Sequence, residues 1–122
     1  MGRAALLLAA LLAAAPAAAQ SEFEVCGQEG STVGIAGCLL RRAEIWDRRL
    51  NEAYGALQRR ITPEQRDMLR TAQRLWISYR DANCAFYAAQ DGSIRQIGHA
   101  ECVRATTEAR ARELDAAMRP EN

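Results

Sequence analysis

The chain offers little of the chemistry that hydrolysis or group transfer requires. Such reactions need a nucleophile beside a base, a pair of carboxylates in a cleft, or a bound metal. The single histidine, His99, is not accompanied by a G-x-S-x-G or H-E-x-x-H motif. The glycines at 27, 30, 34 and 37 match neither a phosphate-binding loop nor a dinucleotide-binding turn. The sequence therefore predicts a protein that is not an enzyme and has neither a metal site nor a cofactor.

The cysteines are the other residues with chemical potential, and their spacing indicates a structural role. No C-x-x-C pair is present, so the pattern favours neither a zinc site nor a thiol–disulfide oxidoreductase. An even number of cysteines in a small exported domain is typical of a disulfide framework. We therefore expect two disulfides, and three pairings are possible on paper. The residues concerned are Cys26, Cys38, Cys84 and Cys102.

The first 19 residues have the pattern of a secretory signal peptide. Arg3 is followed by an uninterrupted apolar run, Ala4–Ala15, and Ala17–Ala19 fits a small-residue cleavage site. As a helix the apolar run would span about 18 Å, which is too short for about 30 Å of bilayer hydrocarbon. Because the first cysteine follows Phe23–Val25 and not small residues, we expect no lipid anchor. The sequence predicts a periplasmic or secreted protein without a membrane span.

The composition argues against a nucleic-acid-binding protein. The chain has 122 residues, enough for one domain, and carries 16 basic and 15 acidic residues for a formal net charge of +1. Proteins that bind nucleic acids normally carry a basic excess that neutralises phosphates. A nearly neutral chain lacks that excess.

Apolar spacing predicts an all-α fold after a polar, Gly-rich N-terminal arm, residues 20–37, which we expect to be a loop or a poorly ordered segment. A stripe at intervals of three and four residues indicates a first helix over 38–61. Its members are Leu39, Ala43, Trp46, Leu50, Ala53, Leu57 and Ile61.

Local capping signals divide the rest of the chain into two more helices. Thr62, Pro63 and Gln65 form a capping-box pattern that starts a second helix over 63–90, antiparallel to the first. Its apolar stripe comprises Met68, Leu69, Ala72, Trp76, Tyr79, Asn83 and Phe86. A turn at 91–93 ends this helix, and a third helix is predicted over 99–118. The expected fold is a small, disulfide-stapled bundle of three helices, with Trp46 and Trp76 in its core.

The up-down-up order of the three helices favours one set of disulfides. Cys38 begins the first helix, Cys84 lies near the end of the second, and Cys102 begins the third. All three therefore lie at the same end of the bundle. Pairing Cys84 with Cys102 would clamp the loop between the last two helices, and pairing Cys26 with Cys38 would fix the N-terminal arm. A bond from Cys38 to Cys84 or Cys102 stays open as an alternative.

A set of linked motifs carries a family resemblance. The motifs are Asp47-x-x-Leu50-Asn51-x-x-Tyr54, then Ala72-Gln73-x-x-Trp76-x-x-Tyr79-Arg80-Asp81-x-x-Cys84, then Gly92-Ser93, Cys102 and Thr107-x-x-Arg110-x-x-x-Leu114. With these motifs, residues 26–118 resemble the LprI-like family, named for a lysozyme-inhibiting lipoprotein. The resemblance implies a small, helical, disulfide-bonded exported domain that inhibits lysozyme. The chain differs from the family's namesake because it has no lipidation site.

The polar residues of these motifs have two interpretations. They could form a hydrogen-bonded network that fixes the register of the helices, since partly buried polar groups need partners. Alternatively, Arg80 and Asp81 could belong to a recognition surface. On the first interpretation, Arg110 is expected to pair with Asp47 or Asp81. The full set is Asp47, Asn51, Tyr54, Gln73, Tyr79, Arg80, Asp81 and Arg110.

A basic ridge on the second helix has two interpretations as well. Arg66, Arg70 and Arg74 lie four residues apart, so that like charges are neighbours on one face. The ridge could be a solvated face that also carries Glu64 and Asp67, or a contact for an anionic partner.

A loop is the best candidate for contact with a muramidase. Residues 90–98 would be braced by a disulfide between Cys84 and Cys102, and the loop offers Gly92 together with two donors, Ser93 and Arg95. The Gly-rich stretch 27–37 is a second candidate. Ser93 could instead serve only in turn formation after Gly92. The competing function is an envelope interaction module with no lysozyme target, which an exposed apolar patch would favour.

Overall fold

The computed structural model describes residues 20–119, and the signal peptide predicted at 1–19 lies outside them. Within the described part of the chain there are four α-helices and no strands, which confirms the all-α prediction. The helices are α1 (Glu22–Gly27), α2 (Thr32–Gln58), α3 (Pro63–Ala88) and α4 (Ile94–Ala116).

The predicted N-terminal arm is mostly helical, so its assignment as a loop over 20–37 was wrong. Ser21 begins α1 through a capping box with Glu24, and the Ser31 hydroxyl accepts a hydrogen bond from the backbone N–H of Gly34 at 3.0 Å to begin α2. Between the two helices, Gly30 has a positive φ of 75°, which glycine adopts without steric cost. The cap at Ser31 offsets part of the low helix propensity of the glycines inside α2, and burial of Ala36, Cys38 and Leu39 stabilises the same segment.

The start of α3 agrees with the prediction, whereas the start of α4 does not. The capping box at α3 is confirmed, because the backbone N–H of Gln65 donates to the Thr62 hydroxyl at 3.2 Å and the Thr62 N–H donates to Gln65 Oε1 at 3.0 Å. The last helix begins at Ile94, earlier than the predicted 99, so the preceding loop is correspondingly shorter.

Helix α4 organises the packing. It lies along α2 and, less extensively, along α3, whereas α2 and α3 make few direct contacts. The predicted stripe of α2 is buried from Leu39 to Leu57 and packs on α4, while Ile61 is partly buried. Two clusters form the core. The first consists of Trp46, Leu50, Ala53, Leu57, Ala111 and Leu114, and the second of Cys26, Ala36, Cys38, Leu39 and Ala100.

The predicted inner stripe of α3 was wrong for several members. Leu69 and Trp76 are partly buried against the first cluster, but Met68, Tyr79 and Phe86 are exposed. Of the residues of α3, Cys84 alone is buried. The spacing identified apolar positions correctly but assigned two different faces of the helix to one stripe.

Both disulfides favoured by the sequence are present. Cys26 is bonded to Cys38, which joins α1 to α2, and Cys84 is bonded to Cys102, which joins α3 to α4. The alternative pairings of Cys38 are thereby excluded. Each bond closes a short loop and stabilises the fold by about 3 kcal/mol in the chain-entropy model.

Among residues 20–119, no helix combines the length and the apolar character needed to cross a bilayer.

Candidate functional site

A groove of about 650 Å³ separates α2 from α3, because α4 holds the two helices without bringing them into close contact. Charges of both signs line it, with Glu44 and Asp47 on α2 facing the same space as Arg80 on α3. The remaining lining residues are Leu40, Ala43, Arg48, Asp81, His99, Val103 and Thr107. The groove is therefore a mixed-charge surface and not an apolar pocket.

Three motif residues lie in this groove, and each has a partner on its own helix. Asn51 donates to Asp47 at 3.3 Å, one turn along α2. Arg80 donates to its neighbour Asp81 at 3.0 Å, and its guanidinium carbon lies 5.1 Å from the centre of the Trp76 ring. These local contacts hold the side chains at the rim without bridging the groove, so Arg80 and Asp81 keep an open side toward solvent.

One pair of motif residues does connect two helices. Arg110 of α4 donates from Nε to Gln73 Oε1 of α3 at 3.0 Å and forms an ion pair with Glu113 at 2.9 Å. The expected pairing of Arg110 with Asp47 or Asp81 was therefore wrong. The reason is geometric, because Gln73 reaches the Arg110 side chain of α4, whereas Asp47 and Asp81 line the groove, which Arg110 does not line.

The other motif residues divide between core and surface. Tyr54 is partly buried against the first core cluster, whereas Tyr79 is 61% exposed. The predicted interhelical network thus reduces to the contact between Gln73 and Arg110 among the motif's polar residues. Both tryptophans do contribute to packing: Trp46 is buried, and Trp76 is partly buried.

The most connected charge in the described structure is Arg104, which the sequence reading did not single out. It is 7% exposed and donates to Glu101 at 2.7 Å, to Glu22 at 3.1 Å and to Glu108. Glu22 also accepts a hydrogen bond from the Trp46 indole at 2.9 Å. Arg104 therefore joins α1, α2 and α4 through their charged and polar side chains.

Protonation equilibria reflect this cluster. Hydrogen bonding to Glu101 raises the pKa of Arg104 above its ordinary value, although burial acts in the opposite direction. For Glu108, burial acts to raise the pKa, but hydrogen bonds from Arg104 and Arg112 outweigh it and hold the pKa below its ordinary value. The spacing of Glu101, Arg104 and Glu108 at three and four residues could have revealed part of the cluster. The contact with Glu22, 82 positions away, could not be read from spacing.

The connection between α3 and α4 is a short, exposed turn. Gly92 has a positive φ of 77°, and Ser93 occupies the N-cap position of α4 without a capping hydrogen bond from its side chain. Arg95 lies in the first turn of α4 and is exposed. The predicted loop at 90–98 therefore becomes a turn at 89–93 followed by helix. The disulfide between Cys84 and Cys102 braces it as expected.

The two remaining predicted surfaces are less distinctive. The stretch 27–37 is helical except for residues near Gly30, so it does not form the second loop that the sequence suggested. On the basic ridge, Arg66 donates to the Gln58 carbonyl at 2.8 Å and Arg70 pairs with Asp67 at 2.9 Å. Such local partners agree with a solvated face.

A family model described as lysozyme inhibitor LprI matches residues 24–114. The chain belongs to this family. The match spans all four cysteines, the eight polar motif residues and the turn at Gly92, so it confirms the resemblance seen in the motifs. No curated protein and no solved structure matches the chain significantly.

Motif residues of this LprI-family domain meet solvent in the groove lined by Asp47, Arg80 and Asp81, at the braced turn around Gly92, and at Tyr79 on α3. Within residues 20–119, no group of three His, Cys, Asp or Glu side chains could hold a metal ion.

Proposed function

We propose that this chain is an exported protein without catalytic activity that inhibits a lysozyme-type muramidase by occluding its active-site cleft. The observation that carries the proposal is the match to the lysozyme inhibitor LprI family over residues 24–114. The apolar leader and the two disulfides support export to an oxidising compartment, the periplasm or beyond.

The turn between α3 and α4 is the proposed inhibitory element. Muramidases use two carboxyl groups that flank the scissile bond in a long cleft. The backbone N–H groups of Arg95 and Gln96 donate to the carbonyls of Gly92 and Ser93, so the donors offered to a partner here are side chains. Ser93 and Arg95 are exposed hydrogen-bond donors at the N-terminus of α4, whose dipole favours an anionic partner. These donors would face the carboxyl groups while the turn excludes water from the cleft.

The disulfide contributes to binding by ordering this turn in advance. Cys84 is 1% exposed and Cys102 is 8% exposed, so the bond anchors both sides of the turn in the protein interior. A pre-ordered element loses less conformational entropy on binding than a flexible loop does. A short turn between two anchored helices suits insertion into a cleft.

Electrostatics narrow the choice of target. A formal net charge of +1 provides no long-range attraction for a strongly basic lysozyme of the animal type. We therefore expect a less basic muramidase, such as a bacterial enzyme, to be the better target.

A lysis assay tests the proposal directly. The oxidised protein is titrated into suspensions of cell walls with several classes of lysozyme, and we expect saturable inhibition of at least one class. The double variant Ser93→Ala/Arg95→Ala should inhibit at least about tenfold less well, because it removes both side-chain donors. The control is Arg59→Ala, at the exposed C-cap of α2 and outside the candidate surfaces, and it should leave potency unchanged.

Two results would count against this proposal. Unchanged potency of the Ser93→Ala/Arg95→Ala variant would remove the turn from the inhibitory mechanism. No inhibition of any lysozyme class, by protein shown to be folded and disulfide-bonded, would reject muramidase inhibition and favour an envelope interaction module. That second function has one structural observation behind it, an exposed apolar face on α3.

A further inference from the structure

One face of α3 carries a row of apolar side chains that the rest of the described structure leaves exposed. Its members recur at intervals of four and three residues, which is the spacing of a coiled-coil seam. Four of them are large and expose 61–67% of their surface. Such exposure is typical of side chains without a packing partner. We call these residues the α3 seam: Met68, Ala72, Leu75, Tyr79, Ala82 and Phe86.

Large and small side chains follow one another along the α3 seam in an order that is the same from either end. The order is large, small, large, large, small, large, centred on residue 77. An antiparallel copy would therefore place Met68 opposite Phe86, Ala72 opposite Ala82 and Leu75 opposite Tyr79. Two-fold symmetric dimers need a surface that is complementary to itself in this way. The alanine layers would also let the two helices approach closely.

The solvent-facing flank of the α3 seam does not hinder the close approach of a second helix. It consists of Thr71, Ser78 and Ala85, which are small and exposed. The two hydroxyls already donate to backbone carbonyls of their own helix, Thr71 to Asp67 at 3.1 Å and Ser78 to Arg74 at 3.2 Å. Covering this flank would therefore leave no hydroxyl donor without a partner.

Charge does not oppose the pairing of two copies. At 100° per residue, the charged residues Arg70, Arg74 and Asp81 fall on other faces of α3. Glu64 falls in line with the α3 seam but lies one turn before Met68, beyond the end of the seam. The net charge of +1 produces little repulsion between whole molecules.

From these observations we propose that the α3 seam binds a second copy of this chain as an antiparallel, two-fold symmetric helix pair. The exposed seam amounts to a patch on the order of 500 Å². Because a standard stable interface buries about 800 Å² on each partner, the dimer is weak and forms in the micromolar range or above. The pair would hold the two C-terminal ends of α3 about 33 Å apart along the axis, so that the two Gly92 turns lie at opposite ends.

Self-association of the disulfide-bonded protein tests the proposal without any lysozyme. Sedimentation equilibrium from about 1 µM to about 500 µM should show a mass that rises from one chain toward two. Leu75→Glu places a charge in both central layers and should weaken association at least about tenfold. The matched control is Val33→Glu, at a position of α2 that is 73% exposed and outside the seam, and its association should equal that of the wild type. Circular dichroism should show the same helix content for all three proteins, because both substituted side chains are exposed.

A single cysteine placed beside the seam tests the orientation. In an antiparallel pair centred on residue 77, the two copies of position 78 lie close together, whereas the two copies of position 71 are about 18 Å apart along the axis. Ser78→Cys should therefore form a disulfide-linked dimer under mild oxidation, and Thr71→Cys should not. In a parallel pair the two positions would behave alike.

Several results would overturn the proposal. These are a single-chain mass at every concentration, association that Leu75→Glu leaves unchanged, or equal crosslinking at positions 71 and 78. A single-chain mass together with weaker lysozyme inhibition by Leu75→Glu would assign the α3 seam to the muramidase and not to a second copy.

Discussion

Helices α2 and α3 are almost equal in length, 27 and 26 residues, but the fold uses them differently. Eight residues of α2 are buried, from Ala36 to Leu57, whereas α3 buries Cys84 alone. Helix α2 is held by an apolar face against α4. Helix α3 is held by a disulfide, by the contact between Gln73 and Arg110, and by partly buried side chains such as Trp76. The comparison shows that apolar spacing can specify a helix without specifying what packs against it.

The largest expected effect is a loss of stability when a buried leucine of α2 is truncated, compared with an exposed leucine of α3. Leu50 is 2% exposed, so Leu50→Ala should lower the free energy of unfolding by about 4 kcal/mol through lost burial and a cavity. Leu75 is 66% exposed, and Leu75→Ala should change it by less than about 0.5 kcal/mol. Denaturant unfolding measures both values at a protein concentration low enough to keep the chain monomeric. Equal losses would show that α3 is buried in solution and would remove the contrast.

The second prediction concerns the covalent attachment of α3. Replacing Cys84 and Cys102 together by alanine should cost about 3 kcal/mol, because the bond restricts the unfolded chain. Amide hydrogen exchange should accelerate most in α3, since little other burial holds that helix. The control replaces Cys26 and Cys38 in the same way, and there the faster exchange should be confined to α1 and the start of α2. Uniform acceleration in both variants would contradict a separate, weaker attachment of α3.

The smallest effect concerns the ion cluster that joins α4 to α1 and α2. Glu108→Gln should cost about 1 kcal/mol at neutral pH by weakening hydrogen bonds to Arg104 and Arg112. Because the pKa of Glu108 is lowered in the folded state, its contribution is present above the ordinary value of 4.5 and is lost as the pH falls through the folded value. Thermal unfolding of the wild type and the variant should therefore converge in acid. A stability difference that does not change with pH would mean that the carboxylate charge is unimportant.

The sequence predicted individual elements unevenly. The start of α3 was predictable because Thr62, Pro63 and Gln65 make a local hydrogen-bonded cap that needs no tertiary contact. The helical arm was missed because its four glycines suggested a loop, while the effect of the caps at Ser21 and Ser31 was overlooked. The glycines and the serine caps favour opposite structures for this segment, and the prediction gave the glycines too much weight.

The candidate site was predictable in its residues but not in its contacts. The motif identified Asp47, Arg80 and Asp81, which do share one groove. Their partners depended on the separation between α2 and α3, which no spacing encodes. The pairing of Arg110 with Gln73 depended on how α4 lies against α3, and the α3 seam is exposed because no other helix of the described structure covers that face.

The sequence by itself determined the all-α class, the presence of a disulfide framework, the stripe of α2 and the family, because these follow from local caps, from an even number of cysteines and from periodicity along a single helix. The pairing of the four cysteines was decided by the tertiary structure. Only the tertiary structure decided that α4 is the central helix, that Arg104 joins three helices through Glu22, and that α3 keeps an apolar face exposed. The physical reason is that each of these features depends on the relative placement of helices that are distant along the chain, which is set by the sum of all their contacts.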